Sequence, residues 1–256
     1  NMDNYTKNNT LVSDKGMVEV YDKSRQTPGL NGVDIGFFIL NKKILSLFPQ
    51  ENFSFEKIIM PELIAKKQLA GFLTHHKYYS LSNLDRIPVI EEFFKPKKII
   101  LLDRDGVINK KAPKAEYITS WGKFEFLPGV IEAIKLLTKK GYDIIIISNQ
   151  AGIGRGAMTE EDLKEIHDKF LGVCRKEEIN IKGIYYCPHN WHEGCFCRKP
   201  KPGMLFKAAA DHHFDLTKAI FIGDDERDEQ AGKAANCKTI LLQQGQSLLD
   251  IVKGLV

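Results

Sequence analysis

Ile99-Ile100-Leu101-Leu102-Asp103-Arg104-Asp105-Gly106-Val107-Ile108-Asn109 decides the reading of this chain. An apolar run of strand length stops at two aspartates one residue apart, and a glycine follows where the backbone can turn sharply. Two further apolar runs end in the same manner. Residues 144–147 stop at Ser148-Asn149-Gln150, and residues 219–222 stop at Gly223-Asp224-Asp225-Glu226-Arg227-Asp228. In an open parallel sheet, ligands bind beyond the carboxyl ends of the strands. Asp103, Asp105, Ser148 and Asp224 are therefore expected to converge on one crevice. Carboxylates gathered there repel one another unless a cation neutralises them. Oxygen-only ligands suit Mg²⁺, which commonly contacts a substrate phosphate as well. A carboxylate can then act as nucleophile and form an aspartyl-phosphate. Lys199, in Arg198-Lys199-Pro200-Lys201-Pro202, is a candidate extra charge for the phosphoryl group in transfer. Helix caps and turns account for any single aspartate of this kind, but poorly for three strand ends at once.

Around these ends the sequence alternates strands and helices, the pattern of a parallel sheet covered on both faces. Strands are expected at 98–102, 143–147, 183–186, 219–222 and 238–242, short and continuously apolar as buried parallel strands are. Pro128 suits the first turn of a helix carrying Val130, Ile131, Ile134 and Leu137, which Gly141 closes. Thr159 with Asp162 forms a capping box ahead of Leu163, Ile166, Phe170 and Val173. The fold class is α/β, a Rossmann-like parallel sheet. The boundary at Phe94-Lys95-Pro96-Lys97-Lys98 divides a domain over 96–256 from a smaller α/β half-domain over 1–95. In that smaller part, residues 11–20 read as a hairpin with a Gly turn. Residues 36–40 read as a buried strand, and 55–67 as a helix interrupted early by Pro61.

Composition sets outer limits. The chain has 256 residues, 43% hydrophobic and 27% charged, which is ordinary globular usage and not that of a disordered chain. Its formal charge of +4 is too slight to argue for nucleic acid or a membrane surface. The longest apolar run is strand-sized and far short of a membrane span, and residues 1–10 are polar, unlike a signal peptide. No nucleic-acid or membrane partner is expected. Of five cysteines, three crowd into 187–197, so the expected compartment is the reducing cytoplasm and the thiols are available for metal.

Cys187-Pro188-His189 and Cys195-Phe196-Cys197 place three thiols and an imidazole in one short loop. Soft thiolates with one imidazole match a closed, tetrahedral, structural Zn²⁺ site. His192 is a spare donor, read as a solvated loop residue. Cys174 and Cys237 are expected as buried thiols. Trp191 suits either packing or a substrate wall.

Residues 103–109, 148–156, 197–200 and 223–224 together resemble the haloacid-dehalogenase (HAD) phosphatases. Within them they are similar to the branch that holds heptose 1,7-bisphosphate 7-phosphatases and histidinol-phosphate phosphatases. The resemblance runs from about Lys97 to the C-terminus. It implies that Asp103 is the nucleophile, and that Asp105 protonates the leaving oxygen and then activates water. Ser148 would hydrogen-bond the phosphoryl oxygens, Asn149 would touch substrate, and Lys199 would hold charge. Mg²⁺ would bind Asp103, the Asp105 carbonyl and Asp224, with Asp228 behind these ligands. The same branch carries the zinc loop, which would position Arg198 and Lys199. One departure is Asp225, where the heptose enzymes often have lysine. A bisphosphate needs a second anion site, for which Arg198 and Arg155 are candidates because a guanidinium grips phosphate with a bidentate fork.

Residues 33–41, 55–61 and 18–23 resemble the second half of a sugar-1-phosphate nucleotidyltransferase. The Gly-rich nucleotide loop and the first half of that sheet have no counterpart. Tyr79-Ser80-Leu81-Ser82 stands where a metal-binding aspartate is usual, so no nucleotidyl transfer is expected. This family context favours a phosphorylated heptose as substrate over histidinol phosphate. It also suggests self-association, or a missing half-domain covering an open sheet edge. A zinc-stabilised binding module without catalysis is the alternative from a different class.

Overall fold

The computed structural model describes residues 6–74, 79–81, 84–113 and 116–255. Asn1 and Ser82 lie outside them. By contact, the chain forms two compact units, Asn1–Glu92 and Phe93–Val256.

In the smaller unit, β1 (Thr10–Val12) pairs antiparallel with β2 (Val18–Tyr21), and Gly16 turns the hairpin at a φ of 75°. Helix α1 (Phe55–Ala65) buries Ile59, Met60 and Leu63 against Val12, Val18 and Leu69. Two expectations are corrected here. Pro61 lies inside α1 and does not interrupt it. Residues 36–40 form no strand, and they are exposed: Phe37 is 84% exposed and Ile39 fully so. An apolar run becomes a buried strand only with neighbours on its edges and a layer on each face. Here Gly36 takes a φ of 78°, its N–H donates to Asp34, and no sheet among the described residues receives the segment. Helix α2 (Ile87–Phe94) leads toward the larger unit.

The larger unit is a five-stranded parallel sheet. Its strands are β3 (Lys98–Leu102), β4 (Tyr142–Asn149), β5 (Ile181–Cys187), β6 (Ile220–Gly223) and β7 (Lys238–Leu241), in the order β5-β4-β3-β6-β7. Alternate residues supply two cores. Ile100, Leu102, Ile144, Ile146 and Ile222 face α3 (Val130–Lys139), α5 (Glu160–Lys176) and α8 (Leu248–Leu255). Ile99, Leu101, Ile145, Ile147 and Phe221 face α6 (Gly203–His212) and α7 (Glu226–Ala234). A one-turn helix, α4 (Ala151–Gly154), follows β4 directly.

The capping box at Thr159 and Asp162 is present with both of its hydrogen bonds. Pro128, however, lies before its helix. Gly129 takes a left-handed φ of 74° as the cap, a conformation glycine adopts without strain, and α3 starts after it. The chain runs from β3 out to β5 and then returns to β6 on the other side of β3. That reversal is the switch point at which open α/β sheets bind ligands.

Candidate active site

The carboxyl ends of β3, β4 and β6 open into one cavity lined by Asp103, Asp105, Ser148, Arg198, Lys199 and Asp228, with Asn149 and Trp191 at its wall. Its floor is Lys199, which is 3% exposed. The ammonium spends its three protons on Asp103 Oδ1 at 2.9 Å, Asp228 Oδ1 at 2.6 Å and the Ile147 carbonyl at 3.0 Å. Burial opposes charge on Lys199, but Asp103 and Asp228 outweigh it and hold the pKa above the ordinary lysine value. Asp103 Oδ1 also accepts the Arg104 N–H at 2.7 Å. Burial pushes the Asp103 pKa up to about 7, against the pull of Lys199 and with the push of Asp228.

Asp224 stands beside this pair. Its Oδ1 is buried and makes no hydrogen bond among the described residues. Ligand atoms of Asp103, Asp224 and Asp228 all lie within 4.8 Å of one another. Lys199 meets Asp103 and Asp228, and the half-exposed Lys111 meets Asp224 Oδ2 at 2.5 Å; three carboxylates this close, with an orphaned buried oxygen among them, fit a hard divalent cation. Asp228 also accepts the backbone N–H groups of Asp224 and Asp225, both at 3.2 Å, which fixes the turn into α7. Gly106 makes room for the cluster. At its φ of 101°, a Cβ would sit 2.0 Å from Asp224 Oδ2.

Asp105 is held in a cage. Arg104 Nη2 donates to its two oxygens at 3.0 and 2.9 Å, Asn109 Nδ2 at 2.8 Å and Gln150 Nε2 at 2.8 Å. Burial raises the Asp105 pKa, but the Arg104 guanidinium and these hydrogen bonds overcome it and hold the carboxyl below its ordinary value. Gln150 Nε2 donates to Ser148 Oγ as well, at 2.8 Å, and so links the two motifs.

The remaining residues singled out in the sequence divide. Asn149 gives its amide to Lys199: Oδ1 accepts the Lys199 N–H at 3.0 Å and Nδ2 donates to the Lys199 carbonyl at 3.1 Å. Arg198 lines the cavity, and its Nη1 is buried without a hydrogen bond among the described residues. Arg155 lies over the Trp191 ring at 4.4 Å and is not among the described cavity-lining residues. Trp191 is itself a wall of the cavity and half exposed.

Arg104, Asn109, Gln150, Lys111 and Arg227 carry site geometry that the sequence reading did not assign. A signal for Arg104 existed, since an arginine between two aspartates at a buried strand end has to be paired. Lys111 and Arg227 looked like ordinary surface charge.

From Cys187 at the end of β5, Cys187, His189, Cys195 and Cys197 close into a cluster. Sulfur atoms lie 3.4 and 3.6 Å apart, and His189 Nδ1 is 3.1 Å from Cys197 and 3.5 Å from Cys187. A tetrahedron of about 2.3 Å Zn–S bonds has edges of roughly 3.7 Å, so the set fits zinc without rearrangement. The loop is seated tightly. Gly154 N–H donates to the Pro188 carbonyl at 2.8 Å, and a Cβ on Gly203 would lie 2.4 Å from the Phe196 carbonyl oxygen.

The HAD-hydrolase-like family profile matches residues 196–253. A D-glycero-alpha-D-manno-heptose-1,7-bisphosphate 7-phosphatase of Campylobacter jejuni is 42% identical over 145 residues, 57% of this chain and 81% of the relative. The chain belongs to this HAD-like family of heptose-bisphosphate phosphatases. A Haemophilus influenzae member acting on the beta bisphosphate is 34% identical over 62% of this chain and 88% of its own length. The crystal structure of the Bordetella bronchiseptica D,D-heptose 1,7-bisphosphate phosphatase, complexed with magnesium and phosphate, aligns with a TM-score of 0.59 at 32% identity. It covers 62% of this chain and 97% of that one. Like other HAD-like phosphatases of the family, the protein is a phosphoric monoester hydrolase.

Proposed function

We infer that the protein is a Mg²⁺-dependent phosphatase that removes the 7-phosphate of D-glycero-D-manno-heptose 1,7-bisphosphate, in the biosynthesis of nucleotide-activated heptose. The observation that carries the chemistry is the Asp103–Lys199–Asp228 cluster with the orphaned Asp224 oxygen beside it. The substrate is argued from the named activity of relatives at 34–42% identity, and the metal also from the magnesium-bound Bordetella enzyme.

Asp103, the Asp105 carbonyl and Asp224 would hold the ion, and Asp228 would brace Asp224 through its backbone. When bound, Mg²⁺ supplies the positive charge that lets a phosphate approach a carboxylate. An Asp103 oxygen attacks phosphorus, and the bond from phosphorus to the sugar oxygen breaks. Asp105, which the cage favours as the carboxylate, would first take up a proton from solvent and then give it to that leaving oxygen. It then takes a proton from the water that attacks the aspartyl-phosphate, which frees Asp103 and inorganic phosphate. The cage around Asp105 stabilises its carboxylate, the form needed for the second half. Ser148 would hydrogen-bond the phosphoryl oxygens, and Lys199 pulls Asp103 toward its ionised form against burial and aims it. Zn²⁺ on Cys187, His189, Cys195 and Cys197 would be structural, fixing the loop that delivers Arg198 and Lys199. Thiolate ligands of this kind fit a reducing cytoplasm.

Arg198 is the favoured grip for the phosphate that stays on the sugar, since it lines the cavity and its Nη1 has no hydrogen-bond partner among the described residues. Arg198→Ala is expected to raise KM about tenfold or more for the bisphosphate, the worth of a charge-assisted hydrogen bond, and less for heptose 7-phosphate. Equal losses on both substrates would remove Arg198 from that role. Arg155 stays a weaker candidate, acting next to Trp191.

For residues 1–95, the sequence likeness to half of a sugar-1-phosphate nucleotidyltransferase argues for a pathway in which dephosphorylation precedes nucleotide activation. It assigns this chain no transfer activity of its own. The deciding experiment is phosphate release with Mg²⁺ from the alpha and beta bisphosphates, with histidinol phosphate in parallel. Preference for a bisphosphate is expected. Preference for histidinol phosphate would keep the catalytic residues and discard the substrate.

A further inference from the structure

We propose that Lys111 is a second grip on the phosphate that remains on the sugar, and that Asp224 holds it in reserve until that carboxylate binds the divalent ion. The inference rests on the bisphosphatase reading above.

Lys111 Nζ lies 2.5 Å from Asp224 Oδ2 and 3.8 Å from Asp225 Oδ2, at the wall of the same cavity as Asp103. It therefore occupies the one carboxylate of the cluster that Lys199 does not touch. Its stem crosses the Gly106 turn, where a Cβ would come within 2.8 Å of Lys111 Cε. The side chain is 42% exposed, so solvent screens the contact and little energy holds it there.

The other cations of the cavity are more committed. Lys199 already donates all three of its N–H groups. Arg227 is forked onto Asp225, with Nε–Oδ1 at 2.7 Å and Nη2–Oδ2 at 2.9 Å. Arg198 offers a free nitrogen, but one guanidinium leaves much of a phosphate dianion unneutralised. Lys111 is the cavity cation with both a long flexible stem and a partner it is bound to lose. A divalent ion on the unbonded Asp224 Oδ1 would stand a few ångströms from the ammonium on Oδ2 of the same carboxylate, and like charges that close repel. Lys111 released from Asp224 remains tethered beside the cavity and can meet an anion there. Its ion pair with Asp224 thus links loading of the metal site to readiness for the doubly phosphorylated substrate.

Two readouts on Lys111→Met test this. Calorimetric titration of Mg²⁺ into the substrate-free protein is expected to give several-fold tighter binding in the variant, because the internal competitor for Asp224 is gone. KM for the heptose bisphosphate is expected to rise about tenfold, and clearly less for heptose 7-phosphate, with Lys111→Arg restoring most of the loss. Mg²⁺ affinity that is unchanged or weaker would overturn the competition. Equal rises in KM on both substrates would overturn the phosphate grip. A parent enzyme with no preference for the bisphosphate would instead overturn the substrate reading beneath it, a failure visible before any variant is made.

Discussion

Asp103→Asn is expected to lower kcat by at least about 10⁴-fold, close to 5 kcal/mol or more of lost transition-state stabilisation. The variant should still fold, and its metal-free form should melt no lower than the parent. The first expectation follows from chemistry. An amide oxygen keeps the shape of the carboxylate and can accept from Lys199 and the Arg104 N–H, yet it cannot form the acyl phosphate. The second follows from electrostatics. Burial lifts the Asp103 pKa from 3.8 to about 7 in the folded, metal-free protein. A carboxyl whose folded pKa is raised binds its proton more tightly when folded. Its contribution to stability is therefore fully present below the unfolded value and is lost as pH rises through about 7. The asparagine variant has no such loss, so its advantage in thermal melts should grow between about pH 4 and pH 7. Turnover within tenfold of the parent would refute the assignment of the nucleophile.

Stripping zinc is expected to have the second largest effect. One zinc per chain should be found by elemental analysis. Removing it with a strong chelator, or replacing Cys197 by Ser, should lower the melting temperature by roughly 10 °C. That figure corresponds to several kcal/mol in a unit of this size. Activity should fall at least tenfold and return with Zn²⁺ but not with added Mg²⁺. The cause is proximity along the chain: Cys197 precedes Arg198 and Lys199 directly, and Lys199 is the buried floor of the site. A loop with few apolar residues of its own otherwise relies on a few backbone contacts, such as Gly154 N–H to the Pro188 carbonyl. Full activity in protein isolated without zinc would refute a structural metal at these four residues.

Most of the larger unit could be read from sequence because its signals are local. The inner strands β3, β4 and β6 are runs rich in Ile, Leu or Phe bounded by turn residues, β5 and β7 are more mixed, and each strand was legible within two residues of its ends. The aspartates after β3 and β6 could be read for the same reason, since a strand end followed by Asp-x-Asp-Gly or Gly-Asp announces itself within a few residues. The Asp105 cage was not legible. Arg104, Asn109 and Gln150 meet there from two strand ends 46 residues apart, and only folding brings them together. Lys111 was missed because a surface lysine and a lysine lying on a carboxylate look identical in one dimension. The smaller unit misled the reading at residues 36–40, where composition favoured a strand but no neighbouring strand was there to receive it.

The alternation along β3 has a consequence for how this site can change by mutation. Odd positions from Ile99 onward look toward α6 and α7, and even positions toward α3 and α5. Asp103 keeps the odd count and meets Lys199 and Asp228 on the α6–α7 side. Arg104 keeps the even count and lies near Phe124 in the opposite core. Asp103, the proposed nucleophile, and the Arg104 that clamps Asp105 are thus sorted to opposite sides of one sheet by parity alone. Inserting or deleting a single residue between Ile99 and Asp103 would swap their destinations, burying Asp103 where no cation waits. An indel of two residues would preserve the sidedness and cost mainly strand length. Active variants recovered from a library of β3 indels should therefore carry even-numbered changes.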